Sequence, residues 1–414
     1  MTIPSHFQDQ ASVHNRNSSF FYQGDDRIAR VHSDRQRLPG FLRPLHRALT
    51  AVPDSDADMP RRSPLGLFAF DMLLLGKFGA AAGTGGILLA SGSVPEAAIG
   101  LPLAVYGALG VIGRLRRFVV GHNHEASHGA SKRWYMSNAG WSKSAARRAN
   151  EAIMDIATAV TFTTNGQDYR RDHGRHHRLD MLGTLNDPDG AQLQAWGFWG
   201  EMKPGEFSRH LLLTVFSPRW HAGFLLARLR SNLFKGKRYR RGLGLVSLLS
   251  IGSLAMVMPI PAWIAAVLIP WTWGYQTASL LQVLTRHNYP HASGAGSWKE
   301  YSERTWERIP WTPLPSADLA GKALVKAWTA WVAELLLIHL PSRLAVLDTT
   351  MVWHGYHHMA WPVGRPFEDW WNVGYQALLA RSERTMAGEG ASRVLWGLPE
   401  ALRLQARRMQ SPLR

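Results

Sequence analysis

The chain has 414 residues and no cysteine, and its 47 Lys and Arg against 30 Asp and Glu give a formal net charge of +17. The absence of cysteine excludes disulfide bonds, thiolate catalysis and cysteine-ligated iron–sulfur clusters, so any metal must bind nitrogen and oxygen ligands. The basic excess favours an anionic lipid surface over nucleic acid as a partner, because the basic residues flank apolar runs and no nucleic-acid-binding motif occurs.

The first 62 residues are polar and lack the charged and short apolar regions of a signal peptide. We interpret residues 1–62 as a cytoplasmic N-terminal arm.

Four apolar stretches that follow are long enough to cross a bilayer, which takes about 20 residues. They cover residues 65–90, 97–120, 242–258 and 262–284, and short, nearly uncharged turns join them into two hairpins. A further apolar stretch at 320–346 is interrupted by charged residues and predicts an interfacial amphipathic helix. The alternative is that the apolar runs are buried helices of a large soluble protein.

Basic residues mark the other ends of the two hairpins. They are Arg61 and Arg62 before the first span, Arg114, Arg116 and Arg117 at the end of the second, Lys235, Lys237, Arg238, Arg240 and Arg241 before the third, and Arg286 after the fourth. The positive-inside rule places these ends in the cytoplasm.

Three short clusters hold eight of the 18 histidines: His-Glu-Ala-Ser-His at 124–128, His-Gly-Arg-His-His at 173–177 and His-Gly-Tyr-His-His at 354–358. On a helix, histidines three or four positions apart share one face, whereas adjacent ones diverge by about 100° and can serve two ions. Eight nitrogen donors exceed the four of a closed zinc site, so the pattern predicts two metals. The predicted topology places all three clusters on the cytoplasmic side.

Two other functions are compatible with parts of this pattern. His124, Glu125 and His128 match the His-Glu-x-x-His motif of zinc metalloproteases, with Glu125 as the base. A non-catalytic metal- or haem-binding membrane protein is the other alternative. His122 is expected to point away from the face that His124 and His128 share.

Taken with the two apolar hairpins, the three clusters resemble the histidine boxes of the membrane fatty acid desaturase and hydroxylase superfamily. The order of boxes and spans agrees, and so does the Asn-Asp-Pro-Asp loop at 186–189. The resemblance covers about residues 65 to 365 and implies an all-α integral membrane protein, with four transmembrane helices and a cytoplasmic helical cap that holds the metals. We therefore divide the chain into the arm at 1–62, a desaturase-like membrane domain at 63–365 and a basic amphipathic tail at 366–414.

The resemblance also implies that the box histidines bind two non-haem irons. A further histidine from beyond the fourth span is common in the superfamily, and His287 occupies that place, with His291 as the alternative. The implied ligands are His124, His128, His173, His176, His177, His287, His354, His357 and His358. Candidate acceptors for their second ring nitrogens are Glu125, Asp172, Asp187 and Asp189.

The implied reaction uses O2 to introduce a double bond into a fatty acyl chain of a lipid. A hydroxylase or ketolase of the same superfamily, acting on an acyl chain, alkane or carotenoid, is the alternative, since the boxes do not separate these outcomes. Without cysteines or a recognisable flavin or haem domain, the chain is expected to take electrons from a separate donor, a ferredoxin or a similar small redox carrier.

Overall fold

A computed structural model of the protein describes residues 26–54, 63–347, 349–360 and 392–412. Of the predicted N-terminal arm, only residues 26–54 are described. Residues 1–25 and 55–62, which include Arg61 and Arg62, lie outside the described residues. The end of the predicted membrane domain at 361–365 and the start of the predicted tail at 366–391 also lie outside them.

The described part of the chain is mostly helical. Its helices are α1 (Asp26–Arg37), α2 (Arg43–Thr50), α3 (Pro64–Ala90), α4 (Val94–Ser127), α5 (Ala130–Ala139), α6 (Lys143–Thr161), α7 (Gly166–His176), α8 (Pro188–Ala195), α9 (Glu206–Val215), α10 (Pro218–Phe234), α11 (Arg238–Val257), α12 (260–286), α13 (Trp298–Glu303), α14 (Gly321–Ala345), α15 (His354–Ala360) and α16 (Gly397–Met409). Short 3-10 helices cover Gly40–Leu42 and Thr349–Trp353, and π-helical segments interrupt α4, α12 and α14.

In the described part of the chain, two short strands add to the predicted all-α fold. β1 (Trp306–Ile309) pairs in parallel with β2 (Arg393–Trp396), with Trp306 opposite Arg393. The strands are only four residues long and far apart in the chain, so no hairpin turn or long alternating pattern could predict them.

Among the described residues, four helices are long and apolar enough to cross a membrane: α3, α4, α11 and α14. The first three coincide with predicted spans. The predicted fourth span at 262–284 is helical within α12 but is not among the four, because tryptophan, threonine and glutamine residues dilute its apolar run. The fourth apolar helix is instead α14, which was predicted as an interfacial helix.

The segment before α14 is tied to α1. Asp34 accepts a hydrogen bond from the backbone N of Leu314 at 3.0 Å, and Arg37 donates one to the carbonyl oxygen of Pro315 at 2.9 Å. Gly321 follows six positions after Pro315, a reach of about 20 Å, whereas the apolar core of a bilayer is about 30 Å thick. Since Ala345 packs in the same core as α1, this tether favours a helix that lies along a surface.

The predicted hairpins pack closely. Ser63 caps α3 by accepting a hydrogen bond from the backbone N of Gly66, and α3 lies against α4 at Gly107, where a β-carbon would collide with the backbone of Ala82. On its other side α3 meets the start of α12, where Gly86 contacts the backbone of Pro261.

The N-terminal helices belong to the core that supports the third histidine box. Ile28 and Val31 of α1 are buried together with Trp311 and Trp353, and Val394 of β2 joins the same cluster. Residues 26–54 therefore pack against the elements on both sides of α15.

Candidate metal centre

All nine predicted histidine ligands lie together, and all are buried. They form two groups, in each of which the available ring nitrogens lie within 4.8 Å of one another. The five-histidine group is His124, His128, His173, His177 and His357, and the four-histidine group is His176, His287, His354 and His358. Each group could hold a metal ion.

The helical spacing of the boxes explains this division. His176 and His177 at the end of α7 are adjacent in sequence and point into different groups, as their angular separation predicts. On α15, His354 and His358 are one helical turn apart and share the four-histidine group, while His357 points into the other. The second and third boxes therefore each contribute to both groups.

Neighbouring Nε2 atoms within each group are about as far apart as two ligand atoms of one metal ion. The Nε2–Nε2 distances are 2.9 Å for His124–His357, His128–His173 and His177–His357, 3.0 Å for His173–His177, His176–His287 and His287–His354, and 3.1 Å for His354–His358. Metal–imidazole bonds are about 2.0–2.1 Å long, so nitrogens on neighbouring corners of a coordination shell are about 3 Å apart. These donor sets therefore fit metal ions.

His287, rather than His291, lies among the histidines. Its Nε2 atom is 3.0 Å from both His176 and His354. His287 ends α12 in an extended conformation, which turns its ring into the four-histidine group. The ring of His291 lies beside Gly183, outside both groups.

Three partners hold ring nitrogens on the outer side of the histidines. Nδ1 of His124 is 3.0 Å from Glu125, Nδ1 of His176 is 2.8 Å from Asp187, and Nδ1 of His358 is 2.9 Å from the hydroxyl of Tyr301. An Nδ1–H that donates outward leaves the Nε2 lone pair facing the group, which is the tautomer that metal binding requires.

Sequence reasoning anticipated Glu125 and Asp187 as acceptors but missed Tyr301. The Tyr301 hydroxyl also donates to the carbonyl oxygen of His177 at 3.1 Å, and the residue is fully buried. Tyr301 lies on α13, which the sequence places near no histidine box, so its role could not be found without the fold.

Asp189 and Asp172, the other two predicted acceptors, differ in their distance from the histidines. A carboxylate oxygen of Asp189 is 3.4 Å from Nδ1 of His176, and Asp189 also pairs with Arg286. Arg286 thus has a carboxylate partner beside the four-histidine group. Asp172 binds Arg171 at 3.3 Å and contacts none of the nine histidines through its carboxylate.

A further carboxylate supports the third box from β1. Glu307 is buried and accepts hydrogen bonds from the backbone N of Tyr356 at 2.8 Å and of Gly355 at 3.3 Å, as well as from Ser392 at 2.7 Å. These N–H groups belong to the first turn of α15 and have no partner within that helix. Glu307 therefore fixes the helix that carries three of the nine histidines.

Burial keeps the histidines uncharged. It lowers the pKa of His177, His287 and His357 well below the ordinary value of 6.5. For His176 burial also lowers the pKa, although Asp187 opposes it. The rings are therefore neutral at pH 7, which is the form that binds metals.

His122 lies outside both groups, as predicted. Its Nε2 atom is 2.7 Å from Asp71, which also pairs with Arg114 at 2.7 Å and with Arg117 at 2.6 Å. Asp71 lies within the first predicted apolar run, at 65–90, and no role was assigned to it from the sequence. A charged residue within such a run usually has a partner of opposite charge, and that rule could have revealed this network.

A large cavity opens beside the histidines. Its volume is about 1190 Å³, and His173 and His176 form part of its wall. Leu213, Trp220 and Phe224 also line it, so the wall of the cavity combines polar and apolar side chains. This volume exceeds the 300–1,000 Å³ typical of small-molecule sites.

Comparisons with protein-family models, with curated proteins and with solved structures found no match for this chain. The resemblance to the desaturase and hydroxylase superfamily therefore stays a prediction from the histidine boxes and the apolar hairpins.

Proposed function

We propose that this chain is an integral membrane, O2-dependent di-iron oxidoreductase that introduces a double bond into a fatty acyl chain of a lipid. The observation that carries the proposal is the pair of adjacent, buried histidine groups, built from three boxes and His287 and bordered by a large cavity.

The composition of the two groups is compatible with iron. Imidazole suits iron, zinc, copper and nickel, and the chain has no cysteine to favour a softer site. A closed structural zinc site uses four ligands, whereas these nine donors are divided into five and four. Two neighbouring irons, when bound, supply O2 reduction and the removal of hydrogen from an unactivated C–H bond.

The protein's own residues would bind the irons, orient the ligand rings and exclude water. The nine histidines would hold the irons, while Glu125, Asp187 and Tyr301 fix the direction of three rings. Burial of all nine keeps bulk water away from the centre. The cavity would bring the acyl chain to the side of the centre that His173 and His176 form.

The metalloprotease alternative is less well supported. In such an enzyme the glutamate of the His-Glu-x-x-His motif activates a metal-bound water. Here Glu125 is fully buried and faces Nδ1 of His124, on the side of the ring away from the five-histidine group. The motif also accounts for only two of the nine gathered histidines.

The apolar helices support membrane association, and we propose that the metal centre faces the cytoplasm. The electrons that O2 reduction requires would then come from a separate cytoplasmic donor, such as a ferredoxin-like protein. The exposed residues Lys235, Lys237 and Arg238, at the start of α11, would attract an acidic carrier of this kind.

Expression of the full chain in a bacterial host, followed by mass spectrometry of the host lipids, tests the proposal. The expected result is O2-dependent appearance of acyl chains that have lost one pair of hydrogens, absent with the H357A variant. Products that have gained an oxygen atom would contradict desaturation and favour the hydroxylase or ketolase alternative. No O2-dependent product in any lipid fraction would contradict the oxidase proposal.

A further inference from the structure

Two buried arginines line the cavity at a distance from the histidines. Arg116 of α4 and Arg228 of α10 are each only 4% exposed. Both contact the Tyr275 ring, whose centroid is 4.1 Å from the guanidinium carbon of Arg228 and 5.5 Å from that of Arg116. Two cations are thus gathered in one part of the cavity wall.

Neither arginine has a carboxylate partner within the part of the chain that the structure describes. Arg116 donates to the hydroxyl of Ser279 at 2.7 Å, and its buried Nε and Nη2 atoms have no hydrogen-bond partner there. Arg228 donates to the carbonyl oxygens of Trp271 at 2.9 Å and Thr161 at 2.6 Å, and its buried Nε atom is likewise unpaired.

The rest of the cavity wall does not supply the missing negative charge. Its two aspartates are already engaged, Asp189 with Arg286 and Asp172 with Arg171. Burial lowers the pKa of Arg228 to about 10, so that the group is still cationic at neutral pH. Burying a cation without a partner destabilises a protein, and an anion bound in the cavity would relieve that cost.

The distance between these arginines and the histidines follows from their spacing along two helices. Arg116 precedes His124 by eight positions in α4, and its partner Ser279 precedes His287 by eight positions at the end of α12. At about 1.5 Å per residue the backbone separation is roughly 12 Å, although a π-helical segment at Phe118–Asn123 interrupts α4 within this interval. Tyr169 lines the cavity and stacks on His173, with ring centroids 5.3 Å apart, so the cavity wall continues to the five-histidine group.

We propose that Arg116 and Arg228 bind an anionic group, a carboxylate or a phosphate, of an amphiphile whose chain extends through the cavity to the histidine groups. That this amphiphile is the substrate rests on the proposed function, whereas the anion site itself does not. An anionic substrate disfavours the neutral alkanes and carotenoids among the alternatives, and the backbone spacing separates the anion site from the histidine groups by about 12 Å.

The test measures binding of octanoate, octyl phosphate and octanol to the purified full chain in nanodiscs, by calorimetry. The three probes share one alkyl chain and differ in head group. We expect octanoate or octyl phosphate to bind about tenfold or more tightly than octanol, because hydrogen bonds to charged groups contribute more than neutral ones. The tighter of the two anions identifies the head group as a carboxylate or a phosphate. Equal binding of all three probes would overturn the proposal.

Variants locate the site. R116Q and R228Q are each expected to weaken binding of the preferred anion about tenfold while leaving octanol unchanged. The matched control is R230Q, on the exposed face of α10 outside the cavity wall, which should bind all three probes as the unmodified chain does. Equal anion affinity in R116Q, R228Q and R230Q would contradict the assignment. If a variant fails to fold, the comparison of the three head groups on the unmodified chain still tests the proposal.

Iron content, measured on the same samples, separates this proposal from the proposed function. Preferential anion binding by a chain without iron would support the anion site and contradict the di-iron function. Two irons per chain without head-group discrimination would overturn the anion site alone.

Discussion

Oδ1 of Asp187 lies 2.8 Å from Nδ1 of His176, and both side chains are buried. The same carboxylate accepts hydrogen bonds from the backbone N of Gly183 and of Asp189, each at 2.9 Å. One side chain therefore fixes the loop after the second box and the orientation of a histidine in the four-histidine group.

The D187N variant tests this relationship. Asparagine can still cap α8, but it is a weaker acceptor for the His176 N–H, so we expect metal affinity to fall about 10–100-fold. The measurement is metal retained against a graded chelator series. D172N is the matched control, because Asp172 pairs with Arg171 on the same helix as the second box. Equal retention by the two variants would contradict the role of Asp187.

Alanine variants of the third box should affect the two groups separately. H354A removes a donor from the four-histidine group, and H357A removes one from the five-histidine group. We expect each variant to retain about one iron per chain, since the other group keeps its full ligand set. Elemental analysis of the purified variants measures this. H221N, whose ring lies outside both groups, should retain the full content, and an unchanged iron content in H354A and H357A would argue against these ligands.

Glu307 is predicted to stabilise the third box. E307A leaves the buried N–H groups of Gly355 and Tyr356 without their acceptor, so we expect the free energy of unfolding to fall by about 2–3 kcal/mol and both irons to be lost more readily. E307Q retains one acceptor oxygen and should show a smaller effect on both. Thermal unfolding in detergent, with metal analysis of the same samples, provides the measurement. A larger loss in E307Q than in E307A would be inconsistent with this role.

The absence of cysteine allows the membrane topology to be tested by single substitutions. S91C and M256C lie at the hairpin turns and should react with an impermeant maleimide in intact cells. S144C, on the histidine side, should react only after permeabilisation. The unmodified chain is the unlabelled control.

The same assay decides how α14 is placed. If α14 lies along the cytoplasmic surface, K322C at its start should be protected in intact cells, as S144C is. Labelling of K322C from outside would instead show that α14 crosses the membrane.

The sequence predicted well which histidines of a box share a helix face, because a spacing of three or four residues is a local property of the chain. His124 with His128, and His176 beside His177, could be placed on their helix faces without the fold. His287 required the resemblance as well, since nothing in its immediate neighbours distinguishes it from His291.

Contacts between distant parts of the chain could not be predicted in this way. Tyr301 reaches His358 across 57 positions, and Glu307 reaches Tyr356 across 49. By composition α14 is more apolar than α12, and the contacts of Leu314 and Pro315 with α1, which bear on how α14 lies, join distant parts of the chain and could not be predicted from hydropathy.

Iron stoichiometry is the most direct test of the central claim that nine histidines hold two irons. The full chain would be purified from iron-supplemented cells and examined by elemental analysis together with Mössbauer spectroscopy. We predict about two irons per chain in nitrogen-rich, non-haem environments. An active protein that carries only zinc, or a single iron, would contradict the di-iron assignment.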